Sequence, residues 1–118
     1  MKTILIAEDN DSNYVLMTYI LKRFYRYQRA KDGQEAVDIV KKGGIDLVLM
    51  DLKMPVMDGL EATRLIKERF PELPVVALTA NAFDSDRQQA KEAGCDAFLP
   101  KPVISADCLA AIRTLVGE

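Results

Sequence analysis

Residues Leu47 to Gly59 read LVLMDLKMPVMDG, and the architecture of the chain can be worked out from them. Leu47, Val48, Leu49 and Met50 form an unbroken apolar run, the composition of a strand covered on both faces. The run ends in Asp51, a carboxylate that is costly to hold inside a protein. An acid at the carboxyl end of a buried strand is where open α/β sheets place their sites.

Three further runs share this character: TILIA from Thr3 to Ala7, PVVALT from Pro74 to Thr79 and the short DAFL from Asp96 to Leu99. With DLVLM from Asp46 to Met50 they predict strands of a parallel sheet. YRYQRAK, from Tyr25 to Lys31, alternates and carries arginines, which predicts an edge strand. Helical patterns lie between. Leu16, Ile20 and Phe24 recur every four residues with Met17 and Leu21 beside them; Ala62, Leu65, Ile66 and Phe70 form a second stripe, and Leu109, Ile112 and Val116 a third. Asp32-Gly33 turns into a helix around Ala36, Val37 and Val40. Asp58, with Glu61 three residues on, and Ser105 are expected N-caps. Asp84 to Ala93 predicts a helix whose apolar side chains are Ala90 and Ala93 alone, hence one thinly anchored. Strand and helix thus alternate five times, predicting a doubly wound, five-stranded parallel sheet with helices on both faces and right-handed crossovers. With the second strand at the edge, the order 2-1-3-4-5 follows.

The 118 residues, 49% hydrophobic and 29% charged, predict a single compact domain spanning 1–118. Sixteen basic against 18 acidic residues leave a net charge of -2, so neither nucleic acid nor an anionic membrane is an expected direct partner. The local cluster Lys22, Arg23, Arg26, Arg29 and Lys31 reads as a solvated helix end and edge strand. Cys95 and Cys108 lack the number and spacing of a disulfide scaffold or metal knuckle, and with no apolar leader in sight they point to a reducing, cytoplasmic setting. No apolar run approaches the roughly 18 residues of a membrane span. The chain has no histidine, which removes Ser/His and Cys/His catalysis.

Carboxylates, lysine and hydroxyls must therefore carry any chemistry, and the predicted strand ends supply them. The first runs into Glu8-Asp9-Asn10, the third into Asp51, the fourth into Thr79-Ala80-Asn81 and the fifth into Lys101-Pro102. Singly, each is an ordinary loop acid, strand threonine or surface lysine. Together they are not, because two carboxylates about 4 Å apart repel by roughly 4 kcal/mol at an effective dielectric near 20. Converging acids need a cation between them or must take up protons. Oxygen ligands without histidine or thiolate favour Mg2+, which keeps waters and binds phosphate.

Four motifs in order carry a resemblance: the acidic pair in AEDN (Ala7 to Asn10), MDLKMPVMDG (Met50 to Gly59), ALTA (Ala77 to Ala80) and LPKP (Leu99 to Pro102). The chain resembles, over essentially its whole length, a receiver domain of two-component response regulators, a flavodoxin/CheY-like fold. The resemblance implies that Asp51 is the phosphoacceptor, and that Asp9, Asp51 and the backbone carbonyl of Lys53 bind Mg2+ directly, with Glu8 helping through water. It implies that Thr79 and Lys101 contact the phosphoryl oxygens, that Lys101-Pro102 is a cis peptide, and that Phe98 is the switch aromatic. The implied partner is a histidine kinase or histidine phosphotransfer protein, with output through the fourth helix, fifth strand and fifth helix, in a monomer or weak phosphorylation-dependent dimer. The implied role is signalling; enzyme activity is limited to self-catalysed phosphotransfer and autodephosphorylation.

The chain departs from the commonest pattern of the family in three places. Phe98 stands where tyrosine is frequent, Pro100 removes a backbone donor from the fifth strand, and Lys53 and Asn81 occupy positions that influence phosphoryl lifetime. A phosphatase of the haloacid dehalogenase type would need a second Asp where Lys53 stands, and a nucleotide enzyme would need a Gly-rich loop after the first strand. A phosphorylation-independent binding module is disfavoured by the intact acid set. AEDN and ALTANAF resemble receivers fused to hybrid histidine kinases, whereas the initial Met suits a free-standing regulator.

Overall fold

Strand and helix alternate as the apolar pattern demands. The computed structural model describes residues 1–80 and 84–117. In chain order the elements are β1 (Thr3–Ala7), α1 (Asp11–Leu21), β2 (Arg26–Ala30), α2 (Gly33–Lys42), β3 (Leu47–Asp51), α3 (Gly59–Arg69), β4 (Val75–Thr79), α4 (Asp84–Ala93), β5 (Ala97–Pro100) and α5 (Ser105–Val116). The five strands form one parallel sheet in the order β2-β1-β3-β4-β5.

Alternation along each strand divides the core. Ile4 and Ile6 of β1 and Leu47 and Leu49 of β3 face α1 and α5, where Met17, Leu21, Cys108 and Ile112 meet them. Leu5, Ala7, Val48 and Met50 face the other way, onto Val37, Val40, Ala62 and Ile66 of α2 and α3. Because both faces are covered, β3 and β4 are buried throughout and β1 is buried from Ile4 onward. A third, small cluster of Leu52, Ala77 and Ala90 holds α4, with Phe98 and Cys95 half-buried against it.

Local sequence closes the helices, at Asp58 as expected and also at Asn10 and Asp32. Asn10, Asp32 and Asp58 cap α1, α2 and α3 by accepting bonds from the N–H groups of Asn13, Glu35 and Glu61. Pro100 ends the edge strand β5 opposite Thr79, and ladder pairing resumes with the Lys101 N–H donating to the Thr79 carbonyl at 2.7 Å. The Lys101-Pro102 peptide is cis.

Four expectations need correction. Leu16 and Phe24 are exposed, because the face α1 buries is Met17, Ile20 and Leu21, and α1 ends before Phe24 is reached. Leu65 is exposed because α3 turns Ala62, Thr63 and Ile66 inward. Ser105 is the first residue of α5 rather than its cap; the cap position falls on Ile104, which offers no side-chain acceptor. Asp51 is the last residue of β3, paired with Leu78, rather than the first residue after it.

The loop from β3 to α3 is held at both ends by backbone. The Gly33 N–H donates to the Met57 carbonyl and the Gly59 N–H to the Leu52 carbonyl, each at 3.0 Å. Between these anchors Val56 is forced to φ 68° while 84% exposed. A β-branched residue in the left-handed region is strained, and nothing is gained there by burial. Val56→Asn should therefore stabilise the protein by about 1 kcal/mol, since asparagine tolerates this conformation. Urea denaturation measures it; an unchanged or lower midpoint would show that the loop carries no such strain.

Candidate functional site

The sheet register brings distant acids to one edge. In parallel order β1 and β3 are neighbours, Ala7 pairs with Met50, and the next residues are Glu8 and Asp51. Both carboxylates are buried, Glu8 at 1% and Asp51 at 6% exposure. Asp9 is exposed beside them, and one oxygen from each of the three lies within 4.8 Å of the others. Among the described residues this is the acidic group close enough to hold a metal ion.

Lys101 supplies the compensating charge from the far end of the chain. Its ammonium donates to Glu8 Oε1 at 2.7 Å and lies 3.2 Å from Asp51 Oδ2. Two further donors fix the acids: the Lys53 N–H on Asp51 Oδ1 at 3.1 Å and the Asn10 N–H on Glu8 Oε2 at 3.3 Å. One lysine does not cancel this much negative charge. Burial, reinforced by the Asp51 carboxylate, pushes the Glu8 pKa up to about 7, and the Lys101 ammonium offsets only part of that rise. Burial would lower the pKa of Lys101, but its bonds to Glu8 and Asp51 outweigh this and raise it.

A cleft of about 280 Å³ opens over these groups, lined by Glu8, Asp9, Asp51, Lys53, Thr79 and Lys101, with Asn10 and Asn13 at its α1 side. Every polar side chain named from the sequence for this edge is thus brought together, except Asn81, which lies outside the described residues. Phe98 sits apart from the cleft, half-buried beside Ala90, with the Arg87 guanidinium 5.1 Å from its ring centre. The donor set is all oxygen, preformed and short of positive charge, so a divalent cation fits it.

One basic residue departs from the expectation of a solvated cluster. The Arg29 side chain is 17% exposed, and its guanidinium bonds the carbonyls of Glu8 and Asp9. The signal that could have found it is the parallel register, which sets Arg29 of β2 against Ile6 of β1, two residues before the acids.

A doubly wound parallel sheet with an acidic, lysine-bearing cleft at its switch point belongs to the class of open α/β domains that carry their sites beyond the carboxyl ends of the strands. The chain belongs to the response regulator receiver domain family, which it matches over residues 4–113. It is 32% identical over 120 residues to the polar-differentiation response regulator DivK of Brucella ovis, an alignment covering 99% of this chain and 98% of DivK. Its structure superposes with a TM-score of 0.92 on the receiver domain of a Pseudomonas aeruginosa sensor histidine kinase, at 34% identity and with 99% and 98% of the two chains covered; that structure holds a magnesium ion in the active-site cleft. It superposes equally well, at 0.92 and 33% identity, on the receiver domain of the Saccharomyces cerevisiae response regulator Ssk1, solved with the histidine phosphotransfer protein Ypd1; 98% of this chain and 89% of that one are covered. The protein is therefore a signalling domain of two-component phosphorelays. No helix among the described residues is long and apolar enough to cross a membrane.

Position in this site is enforced by close backbone approach. A Cβ on Gly59 would lie 2.1 Å from the Asp51 carbonyl oxygen, so only glycine lets α3 start against the end of β3. Gly59→Ala should cost about 1–3 kcal/mol by displacing that contact. Equilibrium unfolding tests it, and wild-type stability would mean that α3 does not rest on Asp51.

Proposed function

We propose that the whole chain acts as one receiver domain in which Asp51 accepts a phosphoryl group from a phosphohistidine protein. The observation that carries this reading is the Lys101 ammonium shared between Glu8 and Asp51 over a cleft whose acids outnumber it. A carboxylate attacks phosphorus without a general base, so a histidine-free chain can do this chemistry. One Asp51 oxygen bonds to phosphorus as the phosphorus–nitrogen bond of the donor breaks, and its electron pair leaves with the imidazole. Bound Mg2+ supplies charge neutralisation at the equatorial oxygens. Asp9, Asp51 and the backbone carbonyl of Lys53 would hold that ion, with Glu8 acting through water. Lys101 and Thr79 contact the phosphoryl oxygens. The domain adds no other enzymatic step beyond hydrolysis of its own aspartyl phosphate.

The donor is a histidine kinase or histidine phosphotransfer protein, and it must rest on the rim of the cleft to bring its imidazole in line. Val15, Leu16 and Tyr19 are exposed on α1, the helix whose Asn13 lines that rim, and they offer the donor an apolar seat. Incubation with acetyl phosphate and Mg2+ should add a phosphoryl mass to the wild type and none to Asp51→Asn. No added mass, or equal labelling of the variant, sinks the assignment.

Output follows from unequal anchoring. The aspartyl phosphate carries about -1.5 to -2 charge, which draws Thr79 and Lys101 inward. Space left beside β4 accommodates the Phe98 ring, and α4, buried through Ala90 and Ala93, is the element free to respond. Phe98 has no hydroxyl to hydrogen-bond, so its two positions differ by packing and by the Arg87 contact. Partner binding then changes across α4, β5 and α5. Hydrogen exchange with Mg2+ and beryllofluoride should show new protection concentrated at Thr79, α4 and β5 and little in α1 and α2; uniform protection would mean binding without switching.

A further inference from the structure

Arg29 makes more contacts than an edge-strand arginine needs. Its Nε donates to the Glu8 carbonyl at 3.1 Å, and its terminal nitrogen donates to the Asp9 carbonyl at 3.3 Å and forms an ion pair with Asp11 Oδ1 at 2.9 Å. The guanidinium carbon lies 4.3 Å from the centre of the Tyr14 ring, which closes the remaining face. The last bond from this end of β1 to β2 is the Glu8 N–H to the Ala30 carbonyl, so the carbonyls of Glu8 and Asp9 lie beyond the strand pairing. There the guanidinium takes over from the ladder. It holds the carbonyls of the two successive peptides that flank Asp9, and only a planar fork of several donors can do so at once.

We infer that Arg29 is a positioning residue that fixes the Glu8–Asp9 turn for a small octahedral cation and thereby makes the cleft favour Mg2+ over Ca2+. The inference rests on the metal reading proposed above. Mg2+ demands near-ideal geometry at short distance, whereas Ca2+ accepts longer and irregular coordination. A turn free to shift by a fraction of an ångström still satisfies the larger ion and penalises the smaller. Charge alone argues the opposite way, since a cation beside the cleft repels metal and its removal should tighten binding of both ions alike. The two effects have opposite signs.

The test titrates the full chain with MgCl2 and with CaCl2, followed by amide chemical shifts, in wild type, Arg29→Lys, Arg29→Gln and Asp11→Asn. Loss of such an outer support weakens metal binding by about 10–100-fold, which is expected for Mg2+ in both Arg29 variants, with a smaller loss for Ca2+. Asp11→Asn, which leaves both carbonyl bonds in place, should keep the wild-type ratio. General loosening of the fold would weaken both ions in proportion and leave the ratio unmoved, which overturns the inference, as does tighter Mg2+ binding in Arg29→Gln. Arg29→Lys keeps the charge and carries the test if the glutamine variant does not fold. Failure of the wild type to bind Mg2+ at all would remove the metal reading and this inference together, whereas wild-type binding with unchanged selectivity in the variants removes this inference alone.

Discussion

Glu8 and Asp51 stand side by side, nearly out of solvent, with Lys101 between them, and the surrounding fold is organised around keeping them there. Like charges at such range are strongly unfavourable in a poorly screened setting, and one ammonium leaves an excess of negative charge. That excess is why the site has capacity for a cation. The pair is also a long-range closure: Lys101 and Glu8 are separated by 93 residues, so the ion pair forms only when β5 and β1 belong to the same finished sheet.

The two dry layers flanking the sheet are what make this arrangement rigid. Alternating side chains of β1 and β3 are committed to opposite faces, so a slip of one residue in either strand would turn its whole apolar set to the wrong side. Register therefore delivers Glu8 and Asp51 to the same level. Gly59 then lets α3 begin against the Asp51 carbonyl, and Arg29 grips the carbonyls of Glu8 and Asp9 from the outer strand. Opposite to this rigidity stands α4, whose alanines bury little surface. A stiff acid site next to a weakly held helix is the arrangement a charge-driven switch needs.

Much of this architecture is legible in the residues alone. The four apolar runs, the arginine-bearing edge strand, the Asp32-Gly33 turn and the capping Asp58 each carry a local signal with a physical cause, and the strand order follows from the runs and the edge strand. Periodicity misleads where more than one helical stripe is available. Leu16 and Phe24 lie at the same four-residue spacing as Ile20, and spacing does not say where the helix ends or which neighbour it leans on; the fold turns Met17, Ile20 and Leu21 of α1 inward and leaves Leu16 and Phe24 exposed.

The residue types at the strand ends are a one-dimensional matter, because apolar runs terminating in Glu8, Asp51, Thr79 and the Lys101 turn are a pattern along the chain. The class of chemistry is set at the same level, since a chain without histidine must work with carboxylates, lysine and hydroxyls. Three-dimensional packing is needed to divide Lys101 between Glu8 and Asp51, and to lift the Glu8 pKa to about 7 through burial. Packing also makes Arg29 a support of the acidic turn instead of a solvated edge-strand residue. The reason is common to both: a side chain's charge state and partners are set by what the sheet register places within a few ångströms, and that distance is not a property of neighbouring letters.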